Sequence, residues 1–65
     1  MKNKTASIII YPMYGSKGHA VDLMYRGAVL HGLMGEKSDI GAMIQKAHNW
    51  AMNQGFTNTK TVYKD

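Results

Sequence analysis

Sixty-five residues, no cysteine and a formal charge of +4 bound this chain before any motif is read. The length gives one domain, residues 1–65, and a chain this short buries only about 60% of its unfolded surface. The absent cysteines exclude disulfides, zinc fingers, CxxC redox motifs and a cysteine nucleophile together.

With disulfides out of reach, oligomerisation is the expected route to further burial, and a homodimer is its simplest form. No run approaches the roughly 20 apolar residues that cross a bilayer. Ile8-Ile9-Ile10-Tyr11 behind Lys2 and Lys4 is too short for a signal peptide. A cytoplasmic protein with no membrane partner is therefore expected. Residues 1–35 carry a balance of +3 (Lys2, Lys4, Lys17 and Arg26 against Asp22), and residues 36–65 carry +1 (Lys37, Lys46, Lys60 and Lys64 against Glu36, Asp39 and Asp65). The basic residues form no dense stripe, and Arg26 is the one arginine, so the charge permits a polyanionic partner without requiring one.

Thr5 to Tyr11 reads as a strand, rich in β-branched residues and stopped by Pro12. Ile8 and Ile10 share one face and Ile9 and Tyr11 the other, which favours a central position in the sheet with both faces covered. Met13 to Gly18 is a loop. His19 to Tyr25 alternates as a second strand, Arg26-Gly27 is a tight turn, and Ala28 to Leu33 returns as a third strand. A two-residue turn sets Leu23 opposite Leu30, and Asp22 opposite His31 on the other side. Met34 to Lys37 then leads out of the sheet.

The next element is an amphipathic helix bracketed by Ser38 and Gly55. Ser38 or Asp39 is its expected cap, and Ile40, Met43, Ile44, Ala47, Trp50 and Ala51 fall within one apolar arc of roughly 120°. Gly55 suits the left-handed position after the last turn, with Phe56 folding back on Ala51 as in a Schellman motif. Thr59 to Tyr63 is a short final strand. The expected fold class is α+β: a three-stranded antiparallel meander, one amphipathic helix packed on the sheet, and a short final strand, in the order β-β-β-α-β.

That order resembles the opening of the ribonuclease H fold. The chemistry of that family needs carboxylates on the first strand, on the helix and at the end of the fourth strand, gathered around two divalent metals. Here Ser7-Ile8-Ile9-Ile10-Tyr11 has no acid, Asp39 stands at the helix cap, and Asp65 is the last residue. The resemblance is one of topology, shared with the inactive sheets of some antitoxins, and implies neither a metal nor nuclease activity. Gly15-Ser16-Lys17-Gly18 resembles the GxxG loop of KH domains, but here it joins two strands and reads as a hairpin loop. His19, His31 and His48 share no metal-ligand spacing. Asp22 and His31 are the one acid–base pair the register brings together, and they read as a cross-strand polar pair with no nucleophile beside it.

Neither an enzyme nor a cofactor is expected. The remaining signal is apolar and aromatic. Six methionines suit a loosely filled core, a homodimer face or a partner interface. The sheet face carrying Ile9, Tyr11, Ala20, Met24 and Val29 has to be covered or exposed. The expectation is a non-catalytic small binding protein acting by occupying a partner protein's surface. Short, cysteine-free chains of this kind are common among phage and mobile-element inhibitors of host defence nucleases, so the class-level expectation is anti-CRISPR-like. Its expected contact residues are Tyr11, Met13, Tyr14, Lys17 and Arg26. The alternative is a small basic nucleic-acid-binding protein using Lys2, Lys4, Lys17, Arg26 and Lys60.

Overall fold

The computed structural model describes residues 3–13 and 18–64. Strands β1 (Thr5–Pro12), β2 (Gly18–Tyr25) and β3 (Ala28–Glu36) lead through a 3-10 turn at Lys37–Asp39 into helix α1 (Ile40–Asn53), and the chain ends in β4 (Asn58–Tyr63). The sheet order is β3-β2-β1-β4. The first three strands form an antiparallel meander, and β4 pairs with β1 in parallel. Helix α1 thus carries the chain from one sheet edge to the other. The parallel pairing is fixed at both ends by backbone donors. The Thr57 N–H donates to the Lys4 carbonyl at 2.8 Å, the Lys4 N–H donates to Thr57 Oγ1 at 2.8 Å, and the Lys64 N–H donates to the Ile10 carbonyl at 2.8 Å.

The triple isoleucine does put β1 at the centre of the sheet, but only one of its faces is sealed. Ala6, Ile8 and Ile10 of β1, Val21 and Leu23 of β2, Met43, Ala47 and Ala51 of α1, and Phe56 form the buried cluster. Ile40, Ile44 and Trp50 pack at its margin, completing the apolar arc of the helix. Ile9 and Tyr11, on the other side of β1, are only half-buried.

Helix α1 ends as its sequence predicts. Gly55 has φ +96°, the Phe56 N–H donates to the Ala51 carbonyl at 3.1 Å and the Gly55 N–H to that of Met52 at 3.2 Å, the paired bonds of a Schellman motif. Its start differs. Ser38 makes no capping bond; instead Asp39 Oδ2 reaches back to accept from the Glu36 N–H at 2.9 Å, closing a capping box around the 3-10 turn. The acid therefore serves the turn ahead of the helix, so the chain coils before Ile40.

Two further departures bear on function. Strand β3 runs to Glu36, because Met34, Gly35 and Glu36 stay paired with Ala20, His19 and Gly18. Glycine carries little strand propensity, so Met34-Gly35 reads as an exit, but the length of β2 keeps the ladder going. In addition, Met24 pairs with Val29 and Leu23 with His31, leaving Leu30 as the extra residue of a bulge. Leu23 does not face Leu30, and Asp22 faces Gly32 in place of His31. The shift turns His31 towards the helix, where its ring stacks on Trp50 with centroids 5.0 Å apart and planes 6° apart.

A side chain at position 55 would meet no atom within 4 Å, so its cost is confined to the left-handed backbone. Gly55→Ala is expected to lower stability by about 1 kcal/mol, and Gly55→Asn by less. Chemical denaturation with both variants checks the order.

Candidate partner-binding surface

The sheet alternation that sends Ile8, Ile10, Val21 and Leu23 under the helix sends their neighbours to the opposite face. The register places Ser7 beside Met24, Ile9 beside Asp22 and Tyr11 beside Ala20. It extends this face to Val29 and Met34 on β3 and to Val62 on β4, beside Ile9. Among the described residues no element crosses this face. Ala20 is buried by its surroundings, Ile9, Tyr11, Met24 and Val62 are half-buried, and Val29 and Met34 are 55% and 76% exposed. No pocket forms among the described residues, so what the chain offers is a broad surface.

One polar contact lies within it. The Tyr11 hydroxyl donates to Asp22 Oδ2 at 2.9 Å, a diagonal pair across β1 and β2. That hydrogen bond, together with burial and the carboxylate's charge, holds the Tyr11 hydroxyl above its ordinary value of 10.0. The contact leaves Asp22 with acceptor capacity that the tyrosine does not fill. Gly32, paired with Asp22, has no side chain to cover it.

The residues expected at the site do not all come together. Tyr11 and half-buried Met13 stand at the end of β1. Tyr14 and Lys17 lie outside the described residues. Arg26 sits at the β2–β3 turn, six residues beyond the Ala20 that pairs with Tyr11 and so about 20 Å from it. There Arg26 has φ 52° and Gly27 φ 82°, the pair of positive values a type I′ turn needs, and the guanidinium lies 5.3 Å from the Tyr25 ring. Lys4 Nζ lies 4.5 Å from the Phe56 ring and 5.3 Å from the Tyr25 ring, joining Arg26 at the same end. The Asp22–His31 pair dissolves, since Asp22 is on the open face and His31 stacks under the helix. Nδ1 of His48 is 2.7 Å from Thr59 Oγ1, while that of His19 is buried with no partner among the described residues. No three His, Asp or Glu side chains among the described residues gather in a metal-holding group.

The sequence reading missed Met34 and Val62. Alternation past Leu33 pointed to Met34, but the glycine after it broke the pattern. Val62 joins the face only through the parallel pairing of β4, which no local signal encodes.

The sign of the Tyr11 shift fixes a pH window. A hydroxyl held above its unfolded value stabilises the fold fully below about pH 10, and that stability is lost as pH rises through the folded value. Alkaline titration followed by tyrosinate absorbance is expected to show one tyrosine ionising late, and Asp22→Ala to bring it back towards the ordinary range. An unchanged curve in Asp22→Ala would show that the contact is not made.

No protein-family model matches the chain, and neither a curated protein nor a solved structure matches it.

Proposed function

We propose that this chain is a non-catalytic binding protein that lays its uncovered sheet face on a partner protein. The observation carrying the reading is that face itself: Ile9, Tyr11, Met24, Val29, Met34 and Val62 lie side by side with no described element above them. Methionine adapts its shape to a partner, and tyrosine supplies contact area at low entropic cost, so both favour recognition. The Tyr11–Asp22 hydrogen bond lowers the penalty of drying the face, because the hydroxyl is already paired. The unfilled acceptor capacity of Asp22 sets the chemistry of the partner: an apolar patch with an N–H or cationic donor near its centre. The class-level expectation makes a phage-defence nuclease the first partner to try.

A second reading rests on the basic end. Lys4 and Arg26 converge on Tyr25 there, and the described acids, Asp22, Glu36 and Asp39, lie in mid-sheet or towards the opposite end. A polyanion bound at that end would dissociate steeply with salt.

Binding to a purified defence nuclease, or to a protein retained from nuclease-treated lysate, separates the two. Ile9→Lys and Val62→Lys are each expected to weaken retention at least about tenfold, because each sets a charge where an apolar side chain would be dried, and at position 9 the lysine would also take the Asp22 acceptor that the partner's donor needs. Lys46→Glu on the outer face of α1, and Lys4→Gln with Arg26→Gln, should leave it unchanged. Thermal melts confirm that each variant folds. Retention that ignores Ile9→Lys, falls steeply with salt and disappears with the Lys4 and Arg26 pair would replace the first reading by the second.

A further inference from the structure

The two edges of the sheet are built differently. Strand β4 is six residues long, carries Lys60 and is followed by Lys64, and charged lysines on an edge discourage pairing with another chain. Strand β3 is nine residues long and has no charge before Glu36. Val29, Leu30 and Met34, three of the four exposed large apolar side chains among the described residues, lie on it. The bulge at Leu30 disturbs only its first part, and from His31 to Glu36 the strand is regular. A long apolar edge in an otherwise well-guarded sheet calls for an explanation.

The sequence of that regular stretch, His31-Gly32-Leu33-Met34-Gly35, supplies one. Read antiparallel against itself about Leu33, it sets Met34 of one copy opposite Gly32 of the other on the open face. On the helix face it sets His31 opposite Gly35. On the open face a large side chain therefore meets a residue with none. Glycine weakens a strand and often marks where a second backbone comes close. Gly35 has a reason within the chain, since a Cβ there would stand 3.1 Å from Asp39 Oδ2 and 3.2 Å from Met43 Sδ. Gly32 has none: a Cβ would make only an ordinary 3.4 Å contact with Asp22 Oδ1. Antiparallel pairing also sets Glu36 opposite Leu30 of the other copy, whereas parallel pairing would set Glu36 against Glu36.

We propose that β3 is a self-pairing edge, through which two copies join antiparallel across a twofold axis at Leu33 into one continuous eight-stranded sheet. Such an isologous contact closes on itself and leaves the lysine-guarded β4 strands at the outer edges. Both helices then lie on one side and both open faces on the other, giving a doubled surface. Edge pairing buries less than a standard interface, so the dimer is expected to form in the micromolar range.

Sedimentation equilibrium from micromolar to millimolar concentration tests this. The unmodified chain should pass from its 7.2 kDa monomer to twice that mass. Met34→Lys should remain monomeric, because the two introduced charges would lie about 7–8 Å apart on the diagonal. Met34 is mostly exposed, so its replacement spares the fold. An equimolar mixture of Met34→Lys and Met34→Glu should recover the dimer, which a structural defect would not allow. Val62→Lys, on the far strand, should dimerise normally. A chain monomeric at millimolar concentration overturns the proposal. So does a Met34→Lys dimer, or loss of dimer in Val62→Lys, which would indicate stacking of the open faces. The readout is mass alone, so its failure is distinct from failure of partner binding.

Discussion

A fourteen-residue helix is about 21 Å long and roughly 10 Å across, enough to cover one face of a four-stranded sheet and none of the other. Every other feature of this chain follows from that limit. The buried cluster lies between α1 and the sheet, where Ile8, Ile10, Val21 and Leu23 meet Met43, Ala47 and Ala51. The residues alternating with them cannot reach the helix. There the chain pairs Tyr11 with Asp22, sets Ser7 and Lys60 towards the Met24 end, and fills the middle with Ile9 and Val62. Such a surface is costly to expose and useful to bind with.

The helix face is held by contacts that also fix the direction of each strand. The Schellman turn at Gly55 reverses the chain, and Thr57 then locks onto Lys4, so β4 can only run parallel to β1. The His31–Trp50 stack favours the bulge, and the bulge decides which residues of β3 face outward. Packing on the covered side therefore sets the composition of the uncovered side. The basic cluster of Lys4 and Arg26 around Tyr25 is tied to the aromatic edge of the same core, through the T-shaped contact of Tyr25 with Phe56.

How much of this could be read beforehand depended on how local each cause is. The helix and its ending were legible because period, stop residue and fold-back partner lie within one stretch of chain. The hairpin turn at Arg26-Gly27 and the five residues Ile9, Tyr11, Ala20, Met24 and Val29 of the open face were legible from alternation. The bulge was not, because Leu30 and His31 suit the strand equally well, and the choice between them is made by Trp50 on another element. The capping role of Asp39 was placed one turn late, since its acceptor reaches backwards to Glu36. Of the expected contact residues, half-buried Tyr11 and exposed Arg26 are set towards opposite ends of β2, a separation fixed by strand pairing and not by any local pattern.

If the chain binds a partner through its uncovered face, that face must be open in the free chain and covered in the complex. The six methionines allow a direct reading, because Met24 and Met34 lie on that face while Met43 lies in the core. Methyl-labelled methionine can be observed with a soluble paramagnetic probe in the dilute free chain and again in the complex with a captured partner. Met24 and Met34 should be strongly relaxed in the free chain and protected in the complex, with Met43 protected in both. Met24 and Met34 still open to the probe in the complex, or already shielded in the dilute chain, would contradict binding through this face.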